Sequence, residues 1–270
     1  MSTSDLRTLF DLSAHGSDVY VGQGISYPWG GLYGGHIVAQ ALRAAAATVE
    51  QGQLPHSLRA YFIRRGDNKE PVRYEVDRIR NGRSFATRRV VARQSVGAIL
   101  NLETSFQCEE ESADIQTIAF PSGVPSPDTI APTSWSDFFD RRPLPEGTLV
   151  DASGRGAGRV AVWMKVAAEL GDDQLLQRCA LAYLSDDLPT DAVVRAWPAA
   201  KKFQEGGTYP FNASLDHTIW FHRPVRADRW HLHDMSCHNF VNGRGLAMGH
   251  VFSQDGVHVA TLAQEALVRL

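Results

Sequence analysis

The chain has 270 residues, 43% hydrophobic and 21% charged, enough to bury a full-sized core as one large domain or two small ones. A net charge of −3 excludes bulk attraction to nucleic acid or anionic lipid, and three widely spaced cysteines exclude a disulfide framework and a zinc knuckle. Met1-Ser2-Thr3-Ser4-Asp5-Leu6 lacks the basic and apolar parts of an export signal and no long apolar span follows, so a cytoplasmic protein with no membrane or nucleic-acid partner is expected.

Ser4 opens a short predicted helix over 4–13, and a first strand is predicted over 19–22. The Gly- and Pro-rich run Pro28-Trp29-Gly30-Gly31-Leu32-Tyr33-Gly34-Gly35 leads into the clearest helix, 36–49. Its alanines and its Ile37, Val38 and Leu42 point to burial on nearly all sides, as for a central helix wrapped by a sheet. Four strands follow, over 57–64, 72–80, 84–94 and 98–106, joined by short turns such as Asn81-Gly82, so the sheet should be antiparallel. Ten arginines from Arg59 to Arg93, against four acids, offer either phosphate contacts or a solvated sheet face.

From Glu109 to Pro132 acidic residues, Ser, Thr and Pro replace the alternation, which marks a linker. A short helix is predicted around 134–140, a strand over 159–166, and a helix opened by Asp172-Asp173 and running to about 185. Further strands are predicted over 213–223, 229–238, 244–254 and 257–269. In the first of these, strict alternation puts Ser214, Asp216 and Thr218 on one face and Leu215, His217 and Ile219 on the other.

The two halves repeat each other. Asn81-Gly82-Arg83 recurs as Asn242-Gly243-Arg244, and the same offset of 161 matches Ala86 with Ala247 and Val90 with Val251. A helix followed by an antiparallel meander, twice over, is a duplicated α+β unit. The predicted organisation is an N-terminal unit over 1–107, a linker over 108–134 and a C-terminal unit over 135–270.

Several blocks resemble the acyl-CoA thioesterase II family. They are Tyr33-Gly34-Gly35-His36-Ile37-Val38-Ala39-Gln40, His56-Ser57-Leu58-Arg59-Ala60-Tyr61-Phe62, Asn81-Gly82-Arg83-Ser84-Phe85-Ala86, Tyr183-Leu184-Ser185-Asp186, the stretch from Ser214 to Pro224, and Gln254-Asp255-Gly256-Val257 through Gln264-Glu265. The resemblance implies a double hot-dog fold, with two antiparallel sheets each wrapped around a central helix. It also implies hydrolysis of fatty acyl-CoA to fatty acid and CoA, with no cofactor and no metal. The family's water-holding Asp, Ser or Thr, and Gln fall on Asp186, Ser214 and Gln264. Sequence order permits this: Asp186 ends the second helix, Ser214 begins the next strand and Gln264 lies in the last. Gly34 and Gly35, which allow close backbone approach, and His56, which matches a family histidine, are candidates for substrate contact. Hot-dog units pair through sheet edges, so the halves should pair within the chain and a homo-oligomer, a dimer of double hot-dogs, is expected.

These residue types suit the chemistry. A thioester carbonyl is electrophilic and its thiolate leaves readily, so a water held in place and deprotonated by a carboxylate suffices. Other readings remain open at this point. His231 and His233, with Cys237 and His238 nearby, offer a metal-ligand set. His36 is the one histidine near a helix start that a hydratase could use, and His222 could be structural or support a site. A non-hydrolytic acyl-thioester binder shares the same fold. A serine hydrolase is disfavoured because no Gly-x-Ser-x-Gly occurs, and Gly154-Arg155-Gly156-Ala157-Gly158 lacks dinucleotide-loop spacing, reading as a flexible connection.

Overall fold

Thirteen strands, all antiparallel to their neighbours, carry the chain in a computed structural model that describes residues 5–149, 158–197 and 209–269. The N-terminal half holds α1 (Leu6–Leu9), β1 (Leu12–Ala14), β2 (Val19–Gly22), α2 (Gly34–Ala46), β3 (Gln53–Phe62), β4 (Val72–Asn81), β5 (Phe85–Gln94) and β6 (Gly97–Cys108). The C-terminal half holds β7 (Phe139–Pro143), β8 (Arg159–Val166), α3 (Gln174–Ser185), α4 (Pro189–Ala196), β9 (Phe211–Ser214), β10 (Asp216–Phe221), β11 (His231–Val241), β12 (Arg244–Ser253) and β13 (His258–Arg269). Among the described residues no helix is long and apolar enough to cross a membrane.

The expected pair of sheets is one continuous sheet, in the order β1-β2-β4-β5-β6-β3-β10-β13-β12-β11-β8-β7. Each half ends its meander on a strand with an open edge, and the two edges satisfy each other: β3 pairs with β10 from Asp216↔Tyr61 to Trp220↔Ser57. The order β4-β5-β6-β3 is mirrored by β11-β12-β13-β10, as a duplicated unit requires. The repeated Asn-Gly motif, however, makes two different turns. Asn242 and Gly243 both take positive φ, at 52° and 73°, and close a two-residue hairpin between Val241 and Arg244. Asn81 ends β4, and its loop runs on to Phe85.

Helix α2 starts at Gly34, slightly before the predicted 36, and is buried along most of its length against β3 to β6. It also packs on α3. In the C-terminal half the helix predicted to open at Asp172-Asp173 and run to about 185 is α3. α3 ends at Ser185, and α4, which the sequence reading missed, packs across β8, β9, β11, β12 and β13. Pro189 stands in the first turn of α4, where its missing N–H costs nothing.

Three more predictions need correction. Residues 134–138 form no helix, and Phe139–Pro143 is β7, because the edge of β8 supplies backbone partners that local propensity does not count. The predicted 4–13 helix shrinks to α1, capped by Asp5, whose carboxylate accepts from the Arg7 N–H, while Leu12–Ala14 pairs with β2; Ser4 lies outside the described residues. Linker residues after Cys108 hold no strand, but they are packed. Gln116 donates to the Gly256 carbonyl and accepts from the His258 N–H, the Trp163 indole donates to the Pro125 carbonyl, and Phe120 sits edge-on to Phe252. Residues 154–157 lie outside the described residues.

Part of the arginine charge in the N-terminal half is met by carboxylates on the sheet face. Arg73 and Arg93 pair with Glu75, Arg78 with Asp18 and Arg89 with Asp77, as on a solvated sheet face. Arg88 is fully buried and donates to the Thr48 hydroxyl and carbonyl, the Arg80 carbonyl and the Asn81 amide oxygen.

Candidate active site

The site begins with the way α3 ends. Asp173 caps its start, accepting from the Leu175 and Leu176 N–H groups at 3.0 and 3.1 Å. Twelve residues later the helix stops, leaving Asp186 at its C-terminal cap and 7% exposed. A carboxylate in that position gains nothing from the helix dipole, and among the described residues no cation forms an ion pair with it. Asp187 beside it does find partners, the Trp135 indole at 2.6 Å and Arg141 at 2.7 Å.

Three neutral donors face Asp186 instead. The Ser214 hydroxyl donates to Oδ1 at 3.0 Å, and the Gln264 amide and the Gly35 backbone N–H also stabilise its ionised form. Burial outweighs them and, with the neighbouring Asp187, pushes the Asp186 carboxyl up to about 7. Gln264 Nε2 donates to Ser214 Oγ at 2.8 Å, so Asp186, Ser214 and Gln264 form one chain of hydrogen bonds.

The N-terminus of α2 reaches this group from the other half. A β-carbon at Gly34 would lie 2.4 Å from Asp186 Oδ2 and 2.9 Å from the Phe62 ring, so only glycine fits. A β-carbon at Gly35 would lie 2.3 Å from the Tyr183 carbonyl. Tyr33, at the helix cap, makes no side-chain capping bond, which leaves the positive end of the helix facing Asp186. Gly34→Ala is therefore expected to lower kcat roughly a hundredfold by displacing the Asp186 carboxylate, as ångström-scale misplacement does, measured by steady-state kinetics on folded protein.

Strict alternation along the 213–223 segment does not hold. Ser214 pairs with Ala266 in β9, but Thr218 pairs with Ala263 in β10, a one-residue shift in register. The extra residue lies at Leu215 and Asp216: the Leu215 N–H donates to the Glu265 carbonyl, and the Glu265 N–H donates to the Asp216 carboxylate. Such a bulge reverses which face each residue presents. Ser214 thus shares a face with His217 rather than with Asp216 and Thr218, the reverse of the expected grouping.

His217 is the residue that sequence reading passed over. It is fully buried, its Nδ1 meets Gln264 Oε1, and its Nε2 lies 2.8 Å from Ser185 Oγ. Its signal was a histidine in phase with Ile219 on the apolar face of the strand.

The other candidates lie apart from this chain of bonds. His56 Nε2 meets Ser105 Oγ at 2.8 Å and its ring sits edge-on to Phe85; it bonds to none of Asp186, Ser214 and Gln264, although Gly34 and Gly35 adjoin that group. His222 meets the Thr261 hydroxyl. His36 is held by the Tyr27 hydroxyl and the Leu9 carbonyl, with no carboxylate of the kind a hydratase pair needs. His231 meets the Arg229 carbonyl, His233 is buried with neither ring nitrogen bonded, and Cys237 donates to the Asn239 carbonyl. Among the described residues no group of three or more side chains is arranged to hold a metal.

Comparison with known proteins agrees across the chain. The family model for the acyl-CoA thioesterase N-terminal domain matches residues 25–107 and that for the C-terminal domain matches residues 112–268. Acyl-CoA thioesterase 2 of Haemophilus influenzae is 34% identical over 88% of this chain and 87% of its own length. Human acyl-coenzyme A thioesterase 8 is 31% identical over 98% of this chain and 89% of its own. The crystal structure of acyl-CoA thioesterase II TesB2 from Mycobacterium marinum superposes with a TM-score of 0.85, 34% identity and coverage of 98% and 96%. A protein of Alicyclobacillus acidocaldarius described as having a hot-dog fold superposes at 0.81 with 20% identity, over 97% of both chains, a likeness of fold alone. With both family models in order and relatives matching nearly end to end, the chain belongs to the acyl-CoA thioesterase family.

Proposed function

We propose that the chain hydrolyses fatty acyl-CoA to fatty acid and CoA with a water held by Asp186, Ser214 and Gln264. The observation that carries this reading is a buried carboxylate, unpaired with any cation among the described residues, that accepts from a serine hydroxyl beside a helix N-terminus. An ionised Asp186 takes a proton from the water as it attacks the thioester carbon. Ser214 and Gln264 hold that water by its remaining donor and acceptor positions, so most of the gain comes from orientation. Negative charge grows on the carbonyl oxygen, and the positive end of α2 at Gly34 and Gly35 stabilises it. The C–S bond then breaks, CoA leaves as the thiolate, and the proton held by Asp186 passes to it. No metal or cofactor enters this scheme.

The fold is proposed to be a double hot-dog, with an N-terminal unit over 1–107, a linker over 108–134 and a C-terminal unit over 135–270 that carries Asp186, Ser214 and Gln264. α2 is the proposed central helix of the first unit, and α3 with α4 that of the second. His56, with its half-buried imidazole beside Phe85, is retained as a proposed substrate contact. Three free cysteines fit a reducing cytoplasm as the proposed setting. A dimer of such chains, formed through remaining sheet edges, is the proposed assembly.

Free-thiol release measured with acyl-CoAs of graded chain length tests the assignment. Thiol is expected with fatty acyl-CoA and is expected to disappear in Asp186→Asn. Binding without release would overturn the assignment in favour of a carrier.

A further inference from the structure

Gln264 can act as described only if its carboxamide is turned one way, and its two ends differ in chemistry but hardly in shape. With Nε2 toward Ser214 it donates to Oγ, and the single hydrogen of Ser214 goes to Asp186. With Oε1 toward Ser214 it would compete with Asp186 for that hydrogen. The Asp186 carboxylate favours the first orientation, since the amide N–H stabilises its ionised form, but a protonated Asp186 both donates and accepts, so it cannot hold the carboxamide in both of its protonation states.

His217 can. It stands on β10 beside Gln264 of β13, fully buried, with Nδ1 on Gln264 Oε1 and Nε2 on Ser185 Oγ. A neutral imidazole carries one N–H, and burial keeps it neutral by lowering its pKa to about 4. If Ser185 donates to Nε2, the proton sits on Nδ1 and can point only at an oxygen, which holds Oε1 toward His217 and the NH2 toward Ser214. If Ser185 instead donates to the Ala182 carbonyl, 3.0 Å away, the proton moves to Nε2 and Nδ1 becomes an acceptor. The carboxamide must then reverse.

From this geometry we infer that His217 is a positioning residue which, with its proton on Nδ1 and Ser185 behind it, sets the orientation of Gln264 and so delivers the Ser214 hydrogen to Asp186. The inference rests on the water-holding roles of Asp186, Ser214 and Gln264. It goes beyond them in naming a fourth residue that touches no substrate, and a fifth, Ser185, that fixes its tautomer.

Two measurements test it. In the unmodified enzyme with 15N-labelled histidine, the ring-nitrogen shifts of His217 are expected to report the Nδ1–H tautomer; an Nε2–H tautomer would overturn the proposal. In kinetics, His217→Leu is expected to lower kcat roughly tenfold to a hundredfold with KM little changed, as loss of orientation does. The same substitution in a Gln264→Ala background should cost nothing further, because His217 acts only through Gln264. His217→Asn, whose amide N–H can stand in for Nδ1–H, is expected to recover part of the rate. A purely structural histidine would show multiplied losses in the double variant and no rescue by Asn, and that pattern sinks the inference. Lowered kcat in Gln264→Ala with unchanged kcat in His217→Leu would overturn this inference alone. Unchanged kcat in Gln264→Ala would instead overturn the reading of the site, and this inference with it.

Discussion

Asp186→Asn is expected to lower kcat for acyl-CoA by roughly 10²–10⁴-fold, the range over which a positioned general base acts, while making the folded protein more stable at pH 8. The two effects have one cause. Burial raises the folded carboxyl from its ordinary 3.8 to about 7, so the native state holds this proton more tightly than the unfolded chain does. As pH climbs from about 4 to about 7 the unfolded chain ionises first, and stability drains away until both states are ionised. At pH 8 the wild type carries the whole penalty and the asparagine variant none of it, a gain on the order of 2–4 kcal/mol before any loss of hydrogen bonding. Chemical denaturation at pH 5 and pH 8 checks the sign, because the gain should shrink at the lower pH. For the wild type, kcat/KM should rise with pH along a limb centred near 7, since the base must be ionised to accept the proton. A folded asparagine variant with unchanged turnover would remove Asp186 from the chemistry.

Ser214→Ala and Gln264→Ala are each expected to lower kcat roughly tenfold to a hundredfold, and together by less than the product of the two. They are links in one chain, Gln264 donating to Ser214 and Ser214 to Asp186, so the first removal already disorders what the second would remove. A pH signature accompanies the loss. Both side chains favour the ionised carboxylate, so deleting either raises the Asp186 pKa further and moves the ascending limb to higher pH. Rate profiles of the two single variants and the double variant measure both effects. Multiplicative losses, or a limb moving to lower pH, would show that the three side chains do not act as one unit.

The carrier reading and the hydratase reading fare differently against the same geometry. A hydratase-type pair has no basis at His36, whose two nitrogens are taken up by Tyr27 and Leu9. A carrier needs a pocket but no buried, unpaired base. A carboxyl held near neutrality by burial destabilises the fold at the pH where it is ionised, and the proposed chemistry gives it a use.

Hydrophobic period and turn residues determined the α+β class, the antiparallel hairpins and helices α2 and α3, because each depends on residues within a turn or two of one another, while the repeat at an offset of 161 pointed to two similar halves. Resemblance added Asp186, Ser214 and Gln264 as candidates. What brings those three together was decided only by the tertiary structure. The bulge at Leu215 and Asp216 turned Ser214 onto the face of His217, and it exists because β13 fixes the register on both sides of the break. Gly34, in the other half of the chain, meets Asp186 through the packing of α2 against α3. Pairing of β3 with β10, and of β7 with β8, satisfies strand edges that no local pattern could assign to each other. A one-dimensional pattern specifies which face a residue prefers to bury, but which distant group it meets there follows from register and helix packing, set only when the whole sheet closes on its core.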